Sequence, residues 1–139
     1  MRLDWELLVR ALDPGDDGMF GVDPATGEIV FFGHHELEGE DPEELWDEAR
    51  YLMVDPVGAG VMGEWLEAFA ESLEGPQAEA LAAAARGSDP VRAANRVLRD
   101  APELRRRWRE YRRRRLCEHA EAWVVEQGLS PENPPPWRE

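Results

Sequence analysis

The apolar residues near the N-terminus recur every three or four positions, which is the spacing of one face of an amphipathic helix. They are Leu3, Leu7, Leu8, Ala11 and Leu12. Asp4 and Glu6 lie in the first turn, where carboxylates favour the helix dipole. The pattern therefore predicts an N-terminal helix that stops at the sequence DPGDDG.

Two short apolar runs then flank a turn signal in the segment MFGVDPATGEIVFF. Pro24 is suited to the start of a turn, and Gly27 can adopt the positive φ value that such a turn needs. These features indicate a β-hairpin. A further apolar run, RYLMVDP, indicates a third strand that is closed by Asp55-Pro56.

The segment GHHELEGEDPEELWDEA, residues 33–49, is acidic and shows no clear periodicity. We expect it to be irregular, with at most a short helix after Asp41-Pro42. That dipeptide favours a helix start because Asp can cap the helix and Pro can occupy its first position.

The pattern becomes helical after position 60. Four helices are predicted, over residues 61–73, 76–86, 90–99 and 102–127. The breaks EGP, RGSDP and RDAPE each place a proline near a new helix start, and Ser88 or Asp89 offers a cap. The last ten residues, SPENPPPWRE, predict an extended, polyproline-like tail that Trp137 pins to the protein.

Together these elements predict an α+β fold: an N-terminal helix, a small antiparallel β-sheet made of the hairpin plus one strand, and a C-terminal helical bundle with a long Arg-rich helix. We expect a single domain over residues 1–129 and a Pro-rich C-terminal tail over 130–139. A chain of 139 residues that is 42% hydrophobic can bury an adequate core for this arrangement.

The cysteine count and the distribution of apolar residues indicate where in the cell the protein is located. The single cysteine, Cys117, cannot form an intrachain disulfide. No run of eighteen apolar residues occurs and the N-terminus carries acids among its apolar positions, so neither a signal peptide nor a membrane span is predicted. We expect a cytoplasmic protein that does not contact the membrane.

The charge is divided unevenly along this acidic chain, whose net charge is −14. Residues 1–85 contain 21 acids and three arginines, a net charge of −18, whereas residues 86–139 contain nine acids and 13 arginines, a net charge of +4. The two segments should attract each other. The total charge opposes binding of the whole molecule to DNA, although a basic patch can act within a Debye length of about 8–10 Å.

Eight of the sixteen arginines lie in RRRWREYRRRRL, residues 105–116. At about 100° per residue, Leu104, Trp108, Tyr111 and Arg115 share one side of the final helix, and Arg112 flanks it. We expect Arg112 and Arg115 to stack on Trp108 or Tyr111 while bonding an acid from residues 1–85. Two acids four positions earlier, Glu103 and Glu110, are placed to pair with Arg107 and Arg114.

Four arginines of this helix are left without such a role: Arg105, Arg106, Arg109 and Arg113. They are our candidates for an anion-binding or partner-binding surface. Three interpretations remain open, in order of preference: an ordinary solvated face, a patch that meets the acidic surface of a second subunit, and a phosphate-binding stripe. The last ranks lowest because arginine clusters bind nucleic acid chiefly where the surrounding domain is also basic.

The sequence Gly58-x-Gly60-x-x-Gly63 matches the dinucleotide-binding fingerprint and follows a predicted strand. A βαβ unit needs a second apolar strand about twenty residues later. An alanine-rich helix over 76–86 is predicted there instead. We therefore interpret the glycines as a connection into a helix.

Neither metal nor catalytic chemistry is indicated. His34 and His35 are adjacent, so on an extended chain they point to opposite faces. Cys117 and His119 lie about 200° apart around a helix and cannot form a ligand or nucleophile pair. No GxSxG, HExxH or phosphate-loop pattern occurs. The sequence names no catalytic residue, no metal and no cofactor.

Four segments together resemble a bacterial group, uncharacterised protein family 0158. They are LDWELLVRALD, DPATGEIV, YLMVDP and VRAANRVLRDAPELRRRWREYRRRRLCEHAEAWVVEQGL, and they span most of the chain. Members tend to have aromatic residues where this chain has Val91 and Ala94, and a Ser-Arg-Glu type helix start instead of GAGVMG. The resemblance implies a shared fold and assigns no activity.

The leading functional hypothesis is therefore a non-catalytic interaction or regulatory module with a protein partner or a second copy of itself. The alternative is nucleic-acid or phosphate-ligand binding through the Arg-rich helix. An enzyme with an unrecognised carboxylate site is held in reserve.

Overall fold

The structure is a computed structural model that describes residues 1–14, 19–32 and 51–138. Its elements are α1 Trp5–Leu12, β1 Met19–Val22, β2 Ile29–Phe32, β3 Leu52–Val54, α2 Ala59–Glu71, α3 Pro76–Ala85, α4 Pro90–Val97, α5 Pro102–Glu126 and a 3₁₀ helix Pro136–Arg138. This order confirms the predicted α+β class, with an N-terminal helix, a small antiparallel sheet and a C-terminal series of helices that ends in a long one.

Contacts divide the chain into two compact units. The terminal unit comprises Met1–Pro56 and Leu116–Glu139, and the helical unit comprises Val57–Arg115. The long helix α5 begins in the helical unit and ends in the terminal unit. The pair His34-His35 and the short helix predicted after Asp41-Pro42 lie outside the described residues. Among the helices in the described part, none combines the length and apolar composition that a membrane crossing requires.

Helix α1 begins after its cap, Asp4, whose Oδ1 accepts a hydrogen bond from the backbone N–H of Leu7 at 3.1 Å. Its apolar face is buried through Trp5, Leu8, Val9, Ala11 and Leu12. The predicted N-terminal helix is thus confirmed, with Asp4 just outside the first turn. An N-cap carboxylate satisfies a backbone N–H that has no partner within the helix.

The three strands form one antiparallel sheet in the order β2-β1-β3. Phe20 of the central strand β1 pairs with Phe31 of β2 and with Val54 of β3. The predicted turn joins β1 to β2: Gly27 has a φ of 80° and donates its N–H to the carbonyl oxygen of Asp23 at 2.7 Å. A Cβ at Gly27 would also collide with the backbone carbonyl oxygen of Arg2.

Two alanine substitutions separate these two effects. Gly128, which follows α5, also has a positive φ, of 71°, but no atom lies within 4 Å of a Cβ placed there. We expect Gly128→Ala to lower the free energy of unfolding by about 1–2 kcal/mol, the cost of a left-handed backbone at a non-glycine residue. We expect Gly27→Ala to cost clearly more, because the Arg2 carbonyl must also move. Chemical denaturation of both variants measures the difference, and equal losses would contradict the collision.

In the helical unit, α2, α3 and α4 pack through an apolar core. Its buried side chains include Met62, Trp65, Leu66, Phe69, Leu81, Ala94, Leu98 and Trp108. Gly63 lies where a Cβ would collide with the carbonyl oxygen of Ala85 at the end of α3, so the glycine permits this close approach. Gly58 is the N-cap of α2, whereas Gly60 and Gly63 lie inside this helix, and the next element is another helix rather than a strand. The predicted connection into a helix is therefore correct only for Gly58. Asp89, not Ser88, caps α4 by accepting from the N–H of Arg92 at 3.1 Å.

In the terminal unit, the chain after residue 130 packs against the N-terminus. The side chain of Asn133 accepts from the N–H of Leu3 at 2.8 Å and donates to the carbonyl oxygen of Leu3 at 2.7 Å. The indole N–H of Trp5 donates to the Asn133 carbonyl oxygen at 3.1 Å, and Glu132 donates its N–H to the Met1 carbonyl oxygen at 2.7 Å. These bonds fasten the end of the chain to its beginning.

Trp137 anchors the tail, as its position predicted. Its ring meets the ring of Trp5 edge-on at 5.7 Å, and its indole N–H donates to Glu121 of α5 at 3.3 Å. Arg138 donates from Nε and from a terminal nitrogen to the same carboxylate, at 2.8 and 3.0 Å. The tail ends in a 3₁₀ turn rather than in the fully extended form that its prolines suggested.

This anchor makes a pH-dependent contribution to stability. The hydrogen bond from Arg138, followed by that from Trp137, lowers the pKa of Glu121 below its ordinary value of 4.5. A carboxyl group whose folded pKa is depressed stabilises the fold above its unfolded pKa and loses that contribution as the pH falls through the folded value. We expect Glu121→Gln to flatten the acid side of the curve of unfolding free energy against pH. Glu126→Gln, an exposed change on the same helix, is the control for the loss of one carboxylate, and an equal change in both variants would contradict the role of the anchor.

Candidate anion-binding site

The first half of α5 contributes an aromatic stripe to the helical unit. The buried ring of Trp108 lies 5.4 Å from that of Phe69, and Tyr111 lies 5.5 Å from Phe69 and 6.1 Å from Trp108. Two guanidinium carbons, of Arg114 and Arg115, lie 5.3 and 5.9 Å from the Tyr111 ring centroid. This stripe holds α5 in place and so decides where its arginines point.

Arg106 is occupied by two acids of its own helix. It donates to Glu103 at 2.6 Å and to Glu110 at 3.3 Å, and the bond to Glu103 followed by the attraction of both acids raises the pKa of Arg106. The sequence had paired these acids with Arg107 and Arg114 instead. Those two arginines are directed into a groove beside α2, which leaves Arg106 as the shared partner. Arg106, one of the four candidates for ligand binding, is therefore already paired with two acids of its own helix.

Arg105 and Arg109 lie elsewhere, in an open notch of about 440 Å³ between α4 and α5. We call it the arginine notch, and its lining consists of Arg92, Asn95, Arg96, Arg99, Arg105 and Arg109. Arg105 is half-buried and the other four arginines are exposed. Within the described chain, none of the five guanidinium groups forms an ion pair with a carboxylate.

The remaining candidate residues lie outside the notch. Arg113 is exposed, Arg112 and Arg115 are half-buried, and all three make polar or electrostatic contacts of their own. Cys117 is buried, with an exposed fraction of 6%. The buried side of α5 changes along its length, from Trp108 in the first half to Leu116, Cys117 and Ala120 in the second.

A second depression, of about 520 Å³, lies between α2 and α5 within the same unit. We call it the tyrosine groove, and it is lined by Ala68, Phe69, Ser72, Arg107, Glu110, Tyr111 and Arg114. It holds two arginines and one acid, in contrast to the five arginines of the notch. Among the residues that the structure describes, no cluster of His, Cys, Asp or Glu suits a metal ion.

Comparison with known proteins identifies a relative. No protein-family model and no solved structure matches the chain. A UPF0158 protein of Pseudomonas aeruginosa is 31% identical over 137 residues, which cover 94% of this chain and 86% of that protein. The chain belongs to the UPF0158 family. The resemblance inferred from four sequence segments is thereby confirmed, and the name of the relative assigns no activity.

The sequence analysis missed three of the five arginines that line the notch of this UPF0158 chain. Arg92, Arg96 and Arg99 were overlooked because they are dispersed in VRAANRVLR, whereas the eight arginines of 105–116 drew attention by density. Their spacing of four and then three residues was the available signal, since it places all three on one face of a short helix. That this face lies beside Arg105 and Arg109 depends on how α4 packs against α5.

Proposed function

We propose that this UPF0158 protein is a non-catalytic binding module whose arginine notch holds the phosphate groups of a nucleic acid or of another phosphate-bearing ligand. One observation carries the proposal: five guanidinium groups line a single concave surface, and none is paired with a carboxylate in the described part of the chain. Of the four candidates from the sequence, Arg105 and Arg109 belong to this proposed site, while Arg106 and Arg113 lie outside it.

Electrostatics favours an anionic occupant. Two like charges 4 Å apart repel by about 1 kcal/mol in water and by more near a protein surface. Five such groups around one notch therefore raise the free energy of the empty site, and an anion lowers it. An arginine presents several N–H donors in a planar fork that matches phosphate oxygens, so each can make two parallel hydrogen bonds. Asn95 adds an uncharged donor to the same lining.

The charge of the whole molecule shapes how such binding would occur. A protein of net charge −14 repels a polyanion at long range. Attraction begins only within a Debye length of the notch, about 8–10 Å at ordinary salt. We therefore expect slow, short-range capture through direct phosphate contacts rather than the fast electrostatic steering of a basic protein.

A titration over a salt series tests this function. Fluorescence anisotropy of labelled nucleic acid should give an affinity that falls as salt rises, with a log–log slope near −0.7 to −0.9 for each phosphate contacted, hence about −3 to −5 for the notch. Unlabelled inorganic triphosphate added as competitor distinguishes a small phosphate site from one that needs a longer strand. No binding at low salt would contradict the proposal.

The division of charge supports a second candidate, in which the notch meets the acidic surface of a second copy. Residues 1–85 carry a net charge of −18 and could supply the carboxylates. Sedimentation velocity over a concentration series tests this: association that weakens with added salt supports it, whereas a monomer at all concentrations eliminates it.

Our proposal includes the cytoplasmic location and the domain over 1–129 with its tail over 130–139 that the sequence predicts.

A further inference from the structure

The tyrosine groove and the arginine notch lie on different sides of the first half of α5. At about 100° per residue, Arg107, Tyr111 and Arg114 cluster on one side, whereas Arg105 and Arg109 lie more than a third of a turn away. The groove is bounded by α2 and the notch by α4. An α-helix with its side chains is only about 10–12 Å wide, so one flexible ligand can reach both depressions.

The tyrosine groove contains a rigid, flat platform. The Tyr111 ring packs against Phe69 at 5.5 Å and against Trp108 at 6.1 Å, and the Trp108 ring is nearly parallel to it at an angle of 26°. The half-buried Arg115 also has its guanidinium carbon 5.9 Å from the Tyr111 ring centroid. Arg114 places its guanidinium carbon 5.3 Å from the centre of the Tyr111 ring, and its side chain is exposed. Nucleic-acid bases stack on aromatic rings and on arginine planes, and rings fixed by packing lose little entropy when a base arrives.

The arginine notch and the tyrosine groove differ in charge, so each suits a different part of a ligand. In the described part of the chain, the notch is lined by five arginines and no acid, which suits phosphate. Among the described residues, the lining of the groove has one acid, Glu110, for its two arginines, Arg107 and Arg114. Glu110 disfavours a phosphate beside it. Its carboxylate accepts from Arg106 at 3.3 Å and keeps further lone pairs that can accept a hydrogen bond from the amino group of a base. The groove therefore suits an uncharged base with polar edges.

We infer that the ligand is a single-stranded nucleic acid, with phosphates in the arginine notch and an unstacked base in the tyrosine groove. This inference rests on the proposed function and narrows its ligand. A duplex keeps its bases paired and stacked inside a rod whose persistence length is about 50 nm, so it cannot place a base on one side of α5 while its phosphates bind the other side. A single strand bends freely and exposes its bases.

Three ligands with the same fluorophore and length test the inference: a single strand of about 12 nucleotides, the corresponding duplex, and an abasic strand that keeps every phosphate and lacks bases. We expect the full-length protein to bind the normal single strand roughly ten-fold more tightly than the abasic strand, because one stacked base contributes about that factor. It should also prefer the single strand to the duplex.

Two variants locate the base. Tyr111→Leu keeps apolar packing against Phe69 and removes the aromatic face, and Arg114→Ala removes the exposed guanidinium from above the ring. Each should lower affinity for the normal strand roughly five- to ten-fold and leave affinity for the abasic strand unchanged. Arg86→Ala, an exposed arginine outside both depressions, is the matched control for loss of one charge. If thermal melting shows that Tyr111→Leu is poorly folded, Arg114→Ala carries the test.

The outcomes separate this inference from the proposed function. Equal affinity for normal and abasic strands, or for single strand and duplex, overturns the single-stranded assignment while leaving phosphate binding in the notch intact. Equal losses for both strands in Tyr111→Leu and Arg114→Ala also overturn it. Failure of all three ligands to bind at low salt overturns both.

Discussion

Replacing Arg96, Arg99 and Arg109 together with glutamine is expected to weaken binding of single-stranded nucleic acid by about a thousand-fold. A hydrogen bond to a charged group contributes about 1.5–3 kcal/mol, and each 1.4 kcal/mol is a factor of ten in affinity, so three lost contacts account for a change of this size. The salt dependence should fall as well, by about 0.7 in log–log slope for each contact removed. Anisotropy titrations at several salt concentrations measure both quantities.

A matched triple variant controls for total charge. Arg86→Gln, Arg106→Gln and Arg113→Gln removes the same three positive charges from exposed residues that do not line the notch. If binding depends on local contacts, this variant should retain affinity within a few-fold of the unmodified protein. Equal losses in the two triple variants would show that general charge, and not the notch, controls binding. No loss in either would remove the notch from consideration.

The second large effect concerns stability. Trp108 has an exposed fraction of 1% and packs against Phe69 and Tyr111. Trp108→Ala should lower the free energy of unfolding by about 3–5 kcal/mol, the usual cost of removing a large aromatic side chain from a core. Chemical denaturation measures the change. The same variant should release α5 from α2 and so disturb the tyrosine groove.

Trp108→Phe tests whether the indole group of Trp108 is needed or only its bulk. The indole N–H of Trp108 is buried, and no residue within the described chain accepts a hydrogen bond from it. A buried donor without an acceptor costs about 1–3 kcal/mol, so phenylalanine removes this penalty while it leaves a smaller cavity than alanine. We expect a net change within about 1.5 kcal/mol of zero. A loss as large as that of Trp108→Ala would show that the indole group itself is required.

The proposed ligand would account for an arginine cluster that has no carboxylate partner among the described residues. One of the four arginines that were expected to be free, Arg106, instead joins two acids on the surface of its own helix. Arg114, which the sequence paired with Glu110, lies over the Tyr111 ring. The arginines of the notch come from α4, from the turn that follows it and from α5, and no single segment of sequence contains them all. We propose the binding hypothesis that ranked lower from the sequence because Arg92 and Arg96 of α4 and Arg99 of the turn line the same notch as Arg105 and Arg109.

Turns and helix starts could be predicted from the sequence where they require a particular residue type, such as proline or glycine. Pro24 and Gly27 marked the hairpin turn because few other residues start a turn or accept positive φ. Prolines at positions 76, 90 and 102 marked three helix starts, since each lies at the first residue of a helix. The glycine sequence was expected to connect into a helix, but only Gly58, the N-cap, precedes α2, and Gly60 and Gly63 lie inside it.

The pairing of charged side chains could not be predicted from the sequence in this way. Glu103 lies three residues before Arg106 and four before Arg107, and both spacings bring side chains together on a helix. The packing of Tyr111 and Arg107 toward α2 decided the choice, and that packing depends on residues almost forty positions away. A helical wheel also assigns α5 one buried side, whereas the buried residues change from Trp108 in its first half to Leu116, Cys117 and Ala120 in its second.

By itself, the sequence determined the order and type of the elements, the turn at Gly27, the anchoring of the tail by Trp137 and the membership of the UPF0158 family. The elements, the turn and the anchor follow from hydrophobic periodicity and from the positions of proline, glycine and tryptophan, which are properties of short stretches of chain. The family membership follows from sequence similarity to a relative. Only the tertiary structure decided which arginines face a common notch and which are engaged by neighbours. The physical reason is that the position of a charge relative to others depends on how helices far apart in sequence pack, and no local preference encodes that distance.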